Sequence, residues 1–359
     1  MTEEEANNRL TDRHEIYFAS SKKRITRYAA VIKKSRNIYI KDDFLIELGY
    51  TNGQVTIEQN INKVNIKEDF IKSAIEQIDI EKSIIEEIEN GLVQVELTNS
   101  IDFQNDQILY NYCGHDCVKC CKGLCEYVGE ASTKKYCSLT GGISTYNAGK
   151  TGGSGTAGGF FTSTDSNHTY LLSNFHVLIG FKNEFNFRVT HPSRYNTYGN
   201  NSENFDVIGE VIWYKRILQK GFNLMDAAVA QIYPKIKIDY GKYTRSGLVE
   251  ILGIGDPKIG EMVKKCGGTT GLTYGEIKSI NCTINISNNE EYPMFFHNQL
   301  LTTLMTKPGD SGSILVNQNG FAVGLLFAGN NFTLSVANNI KYIFNHLRDE
   351  KNINFKKFV

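Results

Sequence analysis

The chain has 359 residues, of which 41% are hydrophobic and 22% charged, and its 39 acidic residues are balanced by 39 basic ones. That length leaves room for a sizeable core, and the even charge gives no electrostatic case for nucleic acid as the main partner. The opening MTEEEANNRLTDRHE is acidic and polar, unlike a secretory leader, and no run of about 18 apolar residues offers a membrane span. The expectation is a cytoplasmic protein with no membrane partner.

Residues 1–112 are charged, isoleucine-rich and poor in glycine. Between Lys67 and Glu89 the apolar residues Phe70, Ile71, Ala74, Ile75, Ile78, Ile84, Ile85 and Ile88 recur at spacings of three and four, one face of an amphipathic helix. Asn65 with Glu68 forms a capping pattern, and Gly91 is placed to stop the helix. The acidic remainder of that helix is a solvated face, with a regulatory protein partner as the alternative. Short strands are expected at 54–58 and 92–97. Together these make a small N-terminal α+β accessory domain without recognisable chemistry.

Residues 113–140 form a cysteine-rich connector, with six of the eight cysteines lying between Cys113 and Cys137. Cys113, Cys117, Cys120, Cys121 and Cys125 have the short spacings that bring thiolates around one tetrahedral zinc, with His115 or Cys137 able to complete or replace a ligand. Such a thiolate-rich site is a structural one. An iron–sulfur cluster, free thiols and disulfides remain open. Cys266 and Cys282 lie far from this group and read as buried thiols.

Residues 141–359 change texture to short β-type runs punctuated by Gly, Asn and Ser: 159–162, 169–172, 208–212, 227–232, 300–303, 313–316 and 321–327. Strands at this spacing mark an all-β barrel or sandwich. Ile340, Ile343, Phe344 and Leu347 mark a short terminal helix.

Within this region lies Lys307-Pro308-Gly309-Asp310-Ser311-Gly312-Ser313. A serine between glycines in a tight turn can be approached closely, and the amides of Gly309 and Ser311 can converge into an oxyanion hole. Acyl transfer by serine needs a histidine base and a carboxylate to fix its tautomer. Ser173-Asn174-Phe175-His176-Val177 closes an apolar strand with a histidine, and Asp226 enters the apolar strand Ala227–Ala230. An aspartate there is costly to bury without a partner.

Gly-Asp-Ser-Gly-Ser, Ser-Asn-x-His-Val and Asp-x-Ala-Val, in the order His176, Asp226, Ser311, resemble the trypsin/chymotrypsin-like serine proteases. The resemblance covers residues 141–345 and implies a double β-barrel, a serine endopeptidase acting on protein or peptide substrates without a cofactor, and a His176–Asp226–Ser311 triad. It is closest to bacterial trypsin-like peptidases related to the plant NARROW LEAF group, through Gly155–Phe160 and Gly267–Gly275. In that group an arginine is expected where this chain has Gly268. The resemblance also implies substrate-pocket residues just before the nucleophile, Met305 and Thr306, and along a later strand, Phe327 and Ala328. With no carboxylate among them, a small or apolar residue before the scissile bond is expected. No processing site that would free an Ile/Val-rich amino terminus precedes the strands, so Asp310 is expected to find an internal partner. The alternative function is a catalytically silent protease-like scaffold that binds peptides.

Overall fold

The computed structural model describes residues 25–35, 38–50, 93–97, 102–103, 135–149, 154–180, 186–193, 205–218, 221–240, 244, 250–286, 294–330 and 333–359. The expected strand 54–58, the helix over 67–89 and the cysteines 113–125 lie outside these residues. The chain divides into two compact units: 1–102 with 218–224 and 278–301, and 103–217 with 225–277 and 302–359. Its first strands are β1 (Ile25–Ser35), β2 (Ile38–Tyr50), β3 (Val93–Leu97) and the two-residue β4 (Asp102–Phe103). β1 and β2 pair antiparallel, and β3 joins β2 in parallel with Leu48 opposite Val95.

The second unit holds the β-rich region. Its strands begin with β5 (Ile143–Asn147), β6 (Gly155–Ala157), β7 (Gly159–Ser163) and β8 (Thr169–Ser173). A single helical turn, α1 (Phe175–Leu178), precedes β9 (Arg188–His191) and β10 (Asp206–Tyr214); after β11 (Gly221–Asn223) comes β12 (Ala228–Ile232). The order β7-β8-β12-β10-β9-β5-β6 closes on itself, because only Gly158 separates β6 from β7. Counting β6 and β7 as one bent strand gives a six-stranded barrel. Gly158 must be small, since a Cβ there would overlap the carbonyl oxygen of Gly312.

The second barrel is built from β13 (Gly253–Ile254), β14 (Met262–Gly267), β15 (Gly271–Asn285), β16 (Met294–Thr303), β17 (Ile314–Asn317), β18 (Phe321–Gly329) and β19 (Leu334–Asn339). The order β16-β19-β18-β17-β14-β15 is closed by pairing of β16 with β15, and β13 flanks β18. β14 and β15 form a tight hairpin, Gly267 opposite Gly271, so residues 267–275 are its turn and the start of its second strand. Alternation is replaced by continuous burial in β17 and β18, whose Leu315, Val316, Val323, Leu325 and Leu326 are fully enclosed, as in strands covered on both faces.

Helix α2 (Ile340–Lys351) follows β19 and buries Ile340, Ile343, Phe344 and Leu347, the four residues its periodicity selects. The Asn339 side chain caps it by accepting from Lys341 N at 3.0 Å, and Asn352 in the left-handed region ends it. β20 (Phe355–Phe358) then pairs with β7. Phe344, Phe355 and Phe358 surround Phe161, with the Phe161–Phe344 ring centroids 5.1 Å apart edge to face, a favoured aromatic geometry.

In the first unit the far half of β15 pairs with β1, Arg27 opposite Ile284, and β11 runs parallel to the start of β16, Phe222 opposite Phe295. Cys266 on β14 and Cys282 on β15 are buried thiols, as the sequence suggests. No helix among the described residues is long and apolar enough to cross a membrane.

Candidate active site

His176 does not sit on a strand end, as its apolar run implies, but in the helical turn that follows. β8 stops at Ser173, Asn174 stays extended, and α1 carries the histidine. β12 pairs with β8 so that Ala228 lies opposite Ser173, which brings Asp226 alongside His176. Asp226 Oδ1 accepts from His176 N at 3.1 Å, and Oδ2 contacts His176 Nδ1. Both side chains are buried, so the carboxylate obtains its stabilisation from those donors rather than from water. A carboxylate on Nδ1 keeps that nitrogen protonated and Nε2 as the basic atom.

The backbone of Asp226 is held as firmly as its carboxylate. Asn338 Oδ1 accepts from Asp226 N at 2.8 Å, and Asn338 Nδ2 donates to Asp226 O at 3.0 Å and to Leu325 O at 3.1 Å. Asn174 Nδ2 adds a bond to Asp226 O at 2.8 Å. β19 and β18 thus grip the aspartate that precedes β12.

Ser311 lies in the turn before β17. Gly309 (φ 94°) and Gly312 (φ 95°) adopt backbone conformations that favour glycine. A Cβ at Gly312 would overlap Thr156 O and Ser173 Oγ, so the nucleophile turn lies directly against the strand that leads to His176. Asp310 N donates to Lys307 O at 3.0 Å, Gly312 N to Leu326 O at 2.8 Å and Ser313 N to Asp310 O at 3.0 Å. None of the hydrogen bonds among the described residues uses the amides of Gly309 or Ser311, the arrangement an oxyanion hole requires. Ser311 Oγ donates to Phe327 O at 3.2 Å.

Asp310 is fully buried and has an internal partner. Lys265 Nζ lies 3.1 Å from Asp310 Oδ2, and neither side chain is exposed. The remaining Lys265 donors reach Gly271 O at 3.1 Å and Thr270 Oγ1. Oδ1 accepts from the amides of Thr269 and Thr270, each at 3.0 Å, while Oδ2 accepts from Thr270 Oγ1 at 2.6 Å and Lys307 N at 3.0 Å. A Cβ at Gly267 would overlap the Asp310 carboxylate. The cation comes from Lys265 on β14, three positions before Gly268, where the resemblance leads one to look for arginine.

Met305 and Thr306 are buried just ahead of this turn, and Phe327 and Ala328 are buried on β18. Thr306 Oγ1 and Ser335 Oγ are 2.7 Å apart, Met305 N donates to Ser335 Oγ at 3.0 Å, and Thr273 Oγ1 donates to Met305 O at 2.7 Å. A Cβ at Gly275 would come within 2.8 Å of the Met305 sulfur. The side chain hydrogen-bonded to Thr306 is the uncharged Ser335. Cys113, Cys117, Cys120, Cys121 and Cys125 lie outside the described residues. Cys137 is an exposed thiol, and among the described residues no group of three or more His, Cys, Asp or Glu side chains is arranged to hold a metal.

Thr156, Lys265 and Asn338 are the site residues that sequence reasoning does not pick out. Lys265 carries a signal, since it falls in phase with the inward-facing Val263 of β14, where a charge is out of place. Thr156 lies in the Gly155–Phe160 run that carries the resemblance and Asn338 in no motif, but the role of each comes from partners more than 100 residues away.

Two six-stranded barrels, one carrying His176 and Asp226 and the other Ser311, form a chymotrypsin-like double β-barrel. No family model matches the chain. Over 80 residues it is 31% identical to Serine protease 2 of Streptomyces fradiae, a stretch covering 22% of this chain and 43% of that protein. The chain thus spans less than half the length of the curated relative it matches. Among solved structures, Nocardiopsis protease (NAPase) is similar with a TM-score of 0.43 and 18% identity, covering 61% of this chain and all of that one. Thermobifida fusca protease A gives 0.42 and 18%, and Cellulomonas bogoriensis chymotrypsin 0.41 and 15%, each covering 61% of this chain and 98% of the other.

Proposed function

We propose that the chain is a serine endopeptidase. In this mechanism Ser311 Oγ attacks the scissile carbonyl while His176 Nε2 takes its proton, and the amides of Gly309 and Ser311 hold the oxyanion that forms. Collapse of the intermediate breaks the peptide C–N bond, and His176 returns the proton to the leaving amine. Water, deprotonated by His176, then attacks the acyl-serine; collapse releases the carboxylic product and returns the proton to Ser311. Asp226 orients His176 and stabilises its imidazolium. The observation that carries the proposal is the buried His176–Asp226 pair set beside a glycine turn whose Gly309 and Ser311 amides make no hydrogen bond among the described residues.

Because Lys265 already partners Asp310, the enzyme is proposed to work as the intact chain, without a freed amino terminus. With no carboxylate among Met305, Thr306, Phe327 and Ala328, the favoured residue before the scissile bond is small or apolar. Kinship with the NARROW LEAF-related peptidases is proposed on the 267–275 run, a cytoplasmic site of action on the crowding of six cysteines into 113–137, and a regulatory partner for the first hundred residues. Cys113, Cys117, Cys120, Cys121 and Cys125 are proposed to hold one structural zinc, for which elemental analysis of purified protein is the test. A peptide library digested by wild type and Ser311→Ala tests the activity: cleavage after small or apolar residues that disappears in the variant supports the proposal. Equal cleavage by both refutes it, and cleavage mainly after Arg or Lys refutes the specificity.

A further inference from the structure

Thr156, on β6 in the first barrel, makes four hydrogen bonds, all buried. Its amide donates to Ser311 O at 2.7 Å, its hydroxyl donates to Gly309 O at 2.8 Å and accepts from Gly268 N at 2.8 Å, and its carbonyl accepts from Ser173 Oγ at 2.7 Å. Its partners therefore include both residues whose amides face the oxyanion, together with the loop that cages Asp310 and the strand that leads to His176.

The placement of the first two bonds matters. The Gly309 carbonyl belongs to the peptide between Gly309 and Asp310, and the Ser311 carbonyl to the peptide between Ser311 and Gly312. The oxyanion amides belong to the peptides Pro308–Gly309 and Asp310–Ser311. Each peptide unit is planar, so pinning the 309–310 and 311–312 units limits rotation of the 310–311 unit between them and of the 308–309 unit next to the first. A glycine at 309 has a wide choice of backbone conformations, so its orientation depends on external restraints: Thr269 Oγ1 donates to Pro308 O at 2.7 Å in the unit that carries its N–H, and Thr156 holds the unit that follows. Gly268 supplies the third contact: a Cβ there would lie only 3.2 Å from Thr156 Oγ1.

We propose that Thr156 is a positioning residue for the oxyanion hole, its amide and hydroxyl together setting the orientation of the Gly309 and Ser311 amides. This rests on the serine endopeptidase proposal. Thr156 touches no reacting atom; it acts through the two residues that do.

The test uses the full-length chain and a peptide substrate that wild type cleaves. Thr156→Val keeps the shape and the backbone N–H but removes the hydroxyl, and Thr156→Ser retains a hydroxyl. Loss of an oxyanion donor costs about 10²–10³ in kcat; misdirecting one should cost less, so Thr156→Val is expected to lose about 10- to 100-fold in kcat with KM changed less than about threefold. Thr156→Ser should stay within about fivefold of wild type. Affinity for a peptide aldehyde, whose adduct with Ser311 places an oxygen in the hole, should fall in step with kcat/KM, while affinity for the cleaved peptide product stays constant. A purely structural role would not separate those two affinities. If Thr156→Val does not fold, Thr156→Cys takes its place, and cysteine kinetics equal to those of serine overturn the proposal. Thr156→Val within about twofold of wild type in kcat and aldehyde affinity likewise overturns it, leaving the protease proposal intact. A wild type that neither cleaves the peptide nor reacts with a fluorophosphonate defeats the protease proposal itself.

Discussion

Replacing Lys265 by methionine keeps the aliphatic stem and deletes the ammonium that faces Asp310. Both groups are fully buried and 3.1 Å apart. Removing one partner of such a pair costs about 3–5 kcal/mol, because the other charge is left without compensation. Asp310 would keep the amides of Thr269, Thr270 and Lys307 and the Thr270 hydroxyl, which sets the expectation at the lower end, about 3 kcal/mol. At roughly 2–4 °C per kcal/mol, Tm should fall by about 6–12 °C. Asp310 directly precedes Ser311, so the loosened turn should also react about tenfold or more slowly with a fluorophosphonate. Calorimetry gives the first quantity, and labelling at a temperature where both proteins are folded gives the second. A further Asp310→Asn change should restore part of the stability, since no buried charge remains, without restoring the labelling rate. Lys265→Met with Tm within about 2 °C of wild type and an unchanged labelling rate would refute the cage as the support of the nucleophile turn.

Asn338→Ala deprives the Asp226 backbone of two partners, so stability should fall by about 2 kcal/mol and kcat by about tenfold at nearly constant KM; urea denaturation and steady-state kinetics check both. Gly312→Ala, at φ 95° and against Thr156 O and Ser173 Oγ, should cost about 3 kcal/mol or more and abolish cleavage, and a stable, active variant would contradict the turn geometry. His191 donates from Nδ1 to Ser144 O at 2.7 Å and accepts from Tyr136 N at Nε2 at 3.0 Å, and burial lowers its pKa from 6.5 to about 4. The unfolded chain therefore binds the proton first, and stability should decline by about 3 kcal/mol as pH falls from about 6.5 to about 4. His191→Gln should flatten that part of the Tm-versus-pH curve, and an unchanged curve would contradict the assignment.

The parts of this molecule legible in its sequence are those set by local pattern. Helix α2 is marked by four apolar residues at helical spacing, and β7, β8, β10, β12, β17 and β18 by β-type runs between turn residues. β1 and β2 carry similar runs, such as Phe44–Ile46, but the dense charges around them disguise the strands. His176, Asp226 and Ser311 are found through short motifs in a definite order, and Asp310's need for an internal partner follows from the resemblance together with the lack of a processing site that would free an amino terminus. The identity of that partner does not, because Lys265 is one of several charged residues in its run and only the pairing of β14 brings it to the Asp310 carboxylate. Thr156 and Asn338 are ordinary polar residues in sequence. Contact between the two barrels makes them part of the site by bringing Thr156 to Gly309 and Asn338 to Asp226, contacts no local pattern encodes.

The most direct measurement is fluorophosphonate labelling of the intact, full-length chain followed by peptide mapping. A single phosphonyl adduct on Ser311, formed without prior cleavage of the chain and slowed by about 10³-fold or more in His176→Ala, is the expected result. An adduct on another residue, no adduct at all, or labelling only after processing near residues 135–160 would contradict an intact-chain enzyme built on His176, Asp226 and Ser311.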